Sequence, residues 1–150
     1  MARRWELPRA KKKFAGELAE GRTRPGGPRV ALLKPLTFMN EAGRSAGPAR
    51  GSFKLELDQV LVLHDEIDLP FGEIRTRLGG GLAGHNGLKS LKRELGSPDF
   101  HRVRIGVGRP DTSDPEIVAA YVLGKWRQST AEVADLISRA ADEAERLINV

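Results

Sequence analysis

Ionisable side chains follow one of the short apolar segments of this 150-residue sequence. His64 and Asp65 come directly after the apolar run 60–63 and are predicted to lie at the carboxyl end of a strand, where open α/β sheets place their binding crevices. Neighbouring strand residues point to opposite faces, so these two side chains cannot serve one substrate. Asp65 is the better candidate, because a carboxylate can orient an imidazole during general-base catalysis. The alternative is an Asp that starts the turn toward Pro70.

A carboxamide and a glycine-rich loop supply further polar groups. Asn40 could donate a hydrogen bond to a carbonyl oxygen and accept one from a water, although a helix cap is the simpler interpretation. The loop 79–84 contains four glycines and leads into a helix start at Asn86. Its exposed backbone amides could hold an anion or an acyl oxygen. It lacks the Lys-Ser/Thr pair of a P-loop, and a mobile connector is the alternative.

The sequence excludes several other classes of site. His64, His85 and His101 do not show metal-ligand spacing, and there is no Cys. No Gly-x-Ser-x-Gly segment marks a serine nucleophile. No apolar run approaches the roughly 18 residues of a membrane span, and the first residues lack a signal-peptide core. We therefore expect no metal, no membrane insertion and a cytoplasmic location.

Positive charge is concentrated in the middle of the chain. Lys and Arg outnumber Asp and Glu by 25 to 20, and the segment 75–104 has seven basic residues against two acidic ones. The basic residues are Arg75, Arg77, Lys89, Lys92, Arg93, Arg102 and Arg104. This asymmetry suggests a surface that faces a polyanion, and a solvated basic surface is the simpler alternative from charge alone.

Alternating strands and helices predict an α/β fold in a single domain, residues 1–150. The runs 29–33 and 60–63 are predicted to be interior strands. Residues 102–108 alternate as a half-buried strand does, with arginines on the face opposite the apolar one. The Gly- and Pro-rich segments 25–28 and 43–51 are predicted to be loops, and residues 1–14 are predicted to be the end of a helix.

Three helices can be placed by their ends. Asn86 is predicted to cap the first, which Gly96 closes. Asp114, followed by a proline, begins a shorter helix that stops near Gly124. A capping box at Ser129 begins the last helix, whose apolar stripe is predicted to face the core. The stripe comprises Val133, Leu136, Ile137, Ala140, Ala144, Leu147 and Ile148.

Five segments together resemble the bacterial peptidyl-tRNA hydrolases: LLKPLTFMNEAG, VLHDEIDLPFG, RLGGGLAGHNGLKSL, FHRVRIGVGRP and YVLGKW. The match covers nearly the whole chain. The resemblance implies a monomeric enzyme that cleaves the ester between a peptide and the 3′ end of tRNA without a cofactor or a metal. It also implies a three-layer α/β sandwich with a mixed central sheet. The partner would be peptidyl-tRNA, bound through its acceptor arm and its nascent peptide.

The resemblance also implies roles for polar residues at the reaction centre. Asp65 would keep a catalytic His in its basic form. Asn40 and Asn86 would hold substrate and water, and His85 would contact the substrate near the scissile ester.

Four further residues would bind the two ends of the substrate. Phe38 and Met39 would line the peptide cleft. Arg77 and Arg104 would belong to a basic surface that holds tRNA phosphates. Phosphate contacts supply affinity without reading sequence, as an enzyme acting on nearly all tRNAs requires.

The sequence departs from the family pattern in one respect. Family members have a first strand, an Asn-Pro-Gly loop and a Thr-Arg-His-Asn segment with the general base, and residues 1–7 match only the end of the helix that follows. We therefore expect a fragment or a misassigned start of a hydrolase, lacking the family's first strand and showing little or no hydrolysis as given. One alternative is a short form that binds RNA without cleaving it. Another is a different esterase with His85 as base, which requires His85 within hydrogen-bond reach of Asp65.

Overall fold

Residues 1–149 are described by a computed structural model with six strands and four α-helices in this range. The strands are β1 (Lys11–Lys13), β2 (Gly16–Arg22), β3 (Arg29–Pro35), β4 (Leu61–Glu66), β5 (Ile74–Leu78) and β6 (His101–Gly106). The helices are α1 (Gly43–Phe53), α2 (Asn86–Leu95), α3 (Pro115–Leu123) and α4 (Thr130–Ile148). Met39–Glu41 and Leu57–Gln59 form short 3-10 segments. The predicted α/β fold class is confirmed.

The chain divides into two compact units. The first comprises residues 1–60, 78–101 and the C-terminal residues from 148, and the second comprises residues 61–77 and 102–147. No helix between residues 1 and 149 is long and apolar enough to cross a membrane.

The first unit contains an antiparallel sheet of strand order β1-β2-β3. Leu18 and Ala19 of β2 point to opposite faces and are both buried, so both faces of the middle strand are covered. The prediction that 29–33 is an interior strand is wrong, because β3 is an outer strand paired only with β2. β1 and β2 were not predicted, since neither the lysine run of β1 nor the glycines of β2 resemble a buried strand.

A close helix crossing forms the other part of the first unit. Residues 43–51, predicted to be a loop, belong to α1, which packs against α2. The Gly43 N–H donates to Ser90 Oγ at 2.8 Å. A Cβ at Gly43 would lie only 2.4 Å from Ser90 O, so the helices approach at a distance that only glycine allows. Tertiary packing therefore stabilises a helix whose Gly and Pro content opposes it.

The second unit is built on a mixed sheet of strand order β4-β6-β5. The backbone N–H of His101 donates to Val60 O at 3.0 Å and that of Val107 donates to Glu66 O at 3.1 Å, so β4 and β6 run parallel. β4 confirms the strand predicted at 60–63, but it is an outer strand of this sheet rather than an interior one.

The middle strand β6 is covered on both faces. Arg102 and Val103, which point to opposite faces, are 1% and 0% exposed. The expectation of a half-buried strand with a face of accessible arginines is therefore wrong for Arg102. A central strand has neighbours on both sides and packing on both faces, whereas the alternation of residue types suggested one solvated face.

The predicted helix ends are largely confirmed. The Asp114 carboxylate accepts from the Glu116 N–H at 2.9 Å, and Ser129 and Glu132 form both bonds of the capping box at 3.1 Å. Gly96 closes α2 in a left-handed conformation. Of the α4 stripe, Leu136, Ala140 and Ala144 are buried, but Ile137 is 59% exposed, which contradicts its assignment to the core. The prediction that residues 1–14 end a helix is wrong: residues 2–6 form hydrogen-bonded turns, including Trp5 N–H to Met1 O, and residues 11–13 form β1.

Two glycine substitutions in α1 test the helix crossing. Gly43→Ala should destabilise the protein by about 1–3 kcal/mol, because the methyl group forces α1 away from the α2 backbone. Gly51→Ala, where a Cβ meets nothing within 4 Å, should instead stabilise it by about 0.5–1 kcal/mol. Thermal unfolding measures both, and equal melting temperatures would contradict the packing described.

Candidate functional site

The first unit brings four of the expected site residues together at the start of α2. The 3-10 segment that contains Met39 and Asn40 packs against this helix. A Cβ added at Gly87 would lie 2.6 Å from Met39 Sδ and 2.9 Å from His85 Cε1. The Met39 thioether and the His85 ring therefore lie directly over the glycine of the first helical turn, where a larger residue would displace them.

His85, and not Asn86, is the N-cap of α2. Its Nδ1 accepts a hydrogen bond from the Leu88 N–H at 3.2 Å. The prediction of an Asn86 cap is wrong by one residue. It rested on the preference for Asn at the N-cap position, which His does not share. A neutral imidazole has one acceptor nitrogen, so the capping bond leaves Nε2 as the nitrogen that carries the proton.

Two carboxamides lie at the same helix start. Asn40 and Asn86 are both exposed, and neither side chain makes a hydrogen bond within residues 1–149. The Asn40 carbonyl oxygen accepts a long hydrogen bond of 3.5 Å from Arg93. Asn40 lies inside the 3-10 segment and caps no helix, so its carboxamide remains available for a ligand.

Apolar side chains next to these amides are open to solvent. Phe38 is 80% exposed and Met39 is 48% exposed. Leu36, three residues upstream of Met39, is 51% exposed. This chain segment therefore presents an apolar surface beside hydrogen-bonding groups, a combination that suits a ligand with both apolar and amide parts.

The glycine-rich loop before α2 is held at both ends. The Gly79 N–H donates to Phe100 O at 3.0 Å, and the His85 N–H donates to Leu82 O at 2.8 Å. Gly79 has a φ of 71°, and a Cβ added to it would lie 2.9 Å from Asp99 Oδ1. Any other residue at this position would therefore be strained. These contacts hold the two ends of the loop in place.

The second unit places Asp65 at a cleft. Asp65 is half-buried on β4 and borders a cavity of about 120 Å³, together with Val107, Tyr121 and Trp126. The Tyr121 hydroxyl donates to Val107 O at 2.6 Å, which fixes the wall that α3 provides. His64, the neighbour on β4, is buried on the opposite face, as strand alternation predicts.

Aromatic residues at this cleft were not identified from the sequence. Trp126 is 52% exposed and contacts Phe71 edge to face, with ring centroids 6.0 Å apart. The Arg127 guanidinium lies 5.1 Å from the Tyr121 ring centroid. An exposed tryptophan between two basic residues in the sequence Gly-Lys-Trp-Arg could have identified this wall.

Arg104 and Arg77, both expected at a phosphate-binding surface, have different environments. The Arg104 guanidinium donates to Glu66 Oε1 at 3.0 and 3.3 Å, and the Glu66 side chain is 6% exposed. Arg77 is exposed and makes no ion pair within the described residues. Arg77 is therefore available to an anionic partner, whereas Arg104 already compensates a buried carboxylate.

Within residues 1–149, no group of three His, Asp or Glu residues is placed to hold a metal ion.

The chain is similar to proteins of one family. A family model described as peptidyl-tRNA hydrolase matches residues 1–150. The chain is 43% identical to a peptidyl-tRNA hydrolase of Rhodopseudomonas palustris, covering 99% of this chain and 72% of that protein. It is 47% identical to one from Mycolicibacterium smegmatis, covering 91% and 70%. A crystal structure of the Acinetobacter baumannii peptidyl-tRNA hydrolase superposes with a TM-score of 0.81 at 30% identity, covering 99% of this chain and 78% of the other.

The two arginines are predicted to differ in their effect on stability. Arg104→Ala should destabilise the protein by about 2–4 kcal/mol, because it leaves the Glu66 carboxylate buried without its partner. Arg77→Ala, which removes an exposed side chain, should change stability by no more than about 0.5 kcal/mol. Denaturant unfolding of both variants measures the difference, and equal midpoints would show that the ion pair contributes nothing.

Proposed function

Because the chain belongs to the peptidyl-tRNA hydrolase family, we propose that it hydrolyses the ester joining a peptide to the 3′ end of tRNA. The observation that carries the proposal is the match of the family over residues 1–150. The group formed by Met39, Asn40, His85 and Asn86 at one helix start supports it. We propose that residues 1–150 act as a single hydrolase-type domain.

The carboxamides are proposed to orient the reacting groups. Asn40 and Asn86 each carry an NH₂ donor and an oxygen acceptor, and neither carboxamide has a hydrogen-bond partner within residues 1–149. One donor can hold the ester carbonyl while an acceptor holds the attacking water, which replaces a bimolecular encounter by a positioned one. His85, whose Nδ1 accepts from the Leu88 N–H, is proposed to contact the substrate near the scissile ester.

The capping bond argues against His85 as a general base. A base needs a nitrogen lone pair for the proton of water, and the acceptor nitrogen of a neutral His85 is already used by α2. Its use as a base would leave the first turn of α2 with an unsatisfied N–H. We therefore do not favour a different esterase that pairs His85 with Asp65.

Asp65 is proposed to orient a histidine and to stabilise its protonated form during water attack. Its position at the carboxyl end of β4, beside a cleft, supports this role. The resemblance assigns the base to a His of a Thr-Arg-His-Asn segment, which the 150-residue sequence does not contain. A carboxylate is a weaker base than an imidazole, so Asp65 is a poor substitute for that base.

The remaining site residues are proposed to hold the two ends of the substrate. Phe38 and Met39 offer exposed apolar surface to the peptide. Arg77 and Arg104 would contact the phosphates of the acceptor arm, with Arg104 doing so while it stays paired with Glu66. We further propose a monomer that works in the cytoplasm, where translation supplies peptidyl-tRNA, without a cofactor.

A second candidate is an RNA-binding module of the same fold that does not cleave the ester. The sequence observation that favours it is the excess of seven basic over two acidic residues in the segment 75–104, which suits binding to a polyanion. Hydrolysis assays separate the two functions, because both require RNA binding and only one requires turnover.

The 150-residue chain by itself is expected to hydrolyse little or no peptidyl-tRNA. Adding the family's first strand, Asn-Pro-Gly loop and Thr-Arg-His-Asn segment should produce turnover, because it supplies a base with a pKa near the working pH. The same addition with Ala in place of that His should fold equally well without turnover. The rate of peptide release from tRNA is measured for all three proteins.

Robust turnover by the 150-residue chain would contradict this expectation. Its loss in His85→Ala and also in His85→Asn would then identify His85 as a base. Asn can still cap α2, so a loss in His85→Ala alone would report helix fraying instead.

Phosphate contacts by the two arginines predict a salt dependence. Arg77→Ala and Arg104→Ala should each weaken tRNA binding about equally for all tRNAs and reduce the slope of log affinity against log salt by roughly one unit. The measurement is made at a temperature at which both variants remain folded. An unchanged slope in both would mean that neither arginine meets a phosphate.

A further inference from the structure

A basic surface on the first sheet has no part in the chemistry proposed above. Residues 9–35 contain eight Lys or Arg and two Glu, a net charge of +6, while the whole chain carries +5. All eight basic side chains are exposed. They are Arg9, Lys11, Lys12, Lys13, Arg22, Arg24, Arg29 and Lys34. We call the part of this set on β1, β2 and β3 the basic sheet.

The strand register aligns these charges in rows. Lys12 of β1 and Lys34 of β3 both lie opposite Glu17 of β2. Opposite residues of antiparallel strands share a face, and neighbouring strands are about 4.8 Å apart, so the two lysines stand roughly 10 Å apart at their backbones. Neither makes an ion pair with Glu17 or with another acid within residues 1–149. Lys11, by contrast, is paired with Glu20 at 3.8 Å.

A second row, which strand alternation places on the opposite face of the sheet, opposes two like charges. Arg22 and Arg29 are directly opposite in the register of β2 and β3. Like charges in this arrangement destabilise a sheet. Arg22 donates to Gly27 O at 2.7 Å, but no acid neutralises either guanidinium within the described residues. An anion between the two would remove this repulsion.

Protection of sheet edges accounts for only part of the pattern. Lysines on outer strands discourage edge-to-edge pairing, and β1 and β3 are the outer strands here. Arg22 lies on the middle strand, where it protects no edge. Edge protection also requires only polar side chains, whereas the charged side chains of β1 and β3 are all positive.

We propose that the basic sheet binds the phosphate backbone of RNA, in addition to the contacts made by Arg77 and Arg104. The proposal rests on the proposed function in that the RNA is tRNA. Lysines and arginines spaced along a sheet match a flexible row of phosphates, and such contacts carry no sequence preference. Lys12 and Lys34, which share a face and have no ion-pair partner within residues 1–149, are the residues expected to meet phosphates.

Single charge changes in the full chain test the proposal with deacylated tRNA as probe. Lys12→Gln and Lys34→Gln should each lower the salt slope by about 0.7–0.9 and weaken binding roughly five- to tenfold at 0.1 M salt. Glu17→Gln should strengthen binding, because it removes the acid between the two lysines. A merely structural role would not produce this opposite sign. Arg146→Gln, which loses one positive charge on α4 beside Glu143, is the matched control and should leave the slope unchanged.

The outcomes separate this proposal from the hydrolase function. Unchanged salt slopes in both lysine variants would contradict RNA binding by the basic sheet. The hydrolase function would then still be tested separately, by peptide release. The salt slopes could fall as expected while the chain releases no peptide, even with the Thr-Arg-His-Asn segment added. That result would support RNA binding by the basic sheet and contradict the hydrolase function. Lysine-dependent binding to phosphatidylserine vesicles with no change in tRNA slope would identify a lipid surface and overturn the proposal.

Discussion

The close approach of α1 and α2 is the constraint on which the first unit depends. Gly43 meets the α2 backbone at Ser90, and the 3-10 segment with Met39 and Asn40 ends two residues earlier in the chain. The helix contact therefore determines where this segment lies, and so which side chains stand over Gly87. A functional group on a short irregular segment is positioned here by a contact between two regular elements, one of which has poor intrinsic helix propensity.

The elements predicted correctly from the sequence are those with local signals. The caps at Asp114, Ser129 and Gly96 need only neighbouring residues, and all three were found. α1 was missed because its stability comes from contacts with α2, whose bonded residues lie 45 and 47 positions away in the chain. The strands β1 and β2 were missed because pairing, and not apolar periodicity, defines them.

The site was only partly accessible from the sequence for similar reasons. The resemblance supplied Met39, Asn40 and His85 as a set, and the structure adds that the His85 ring is also the cap of α2. The partner of Arg104 could not be read from the sequence, because Glu66 is 38 residues away and only the pairing of β4 with β6 brings it close. Sequence patterns can therefore indicate which residues belong to a site, but which charged residues pair with each other depends on strand order.

The hydrogen bond from Arg24 to Asn149 Oδ1, 2.9 Å long, joins residues 125 positions apart. During synthesis at about 5–20 residues per second, roughly 6 to 25 seconds separate the appearance of the two. The hairpin strands of the first sheet can pair early, while their contact with the chain end must wait for translation to reach residue 149. Assembly of the first unit therefore has a built-in delay between the pairing of its hairpin strands and their contact with Asn149.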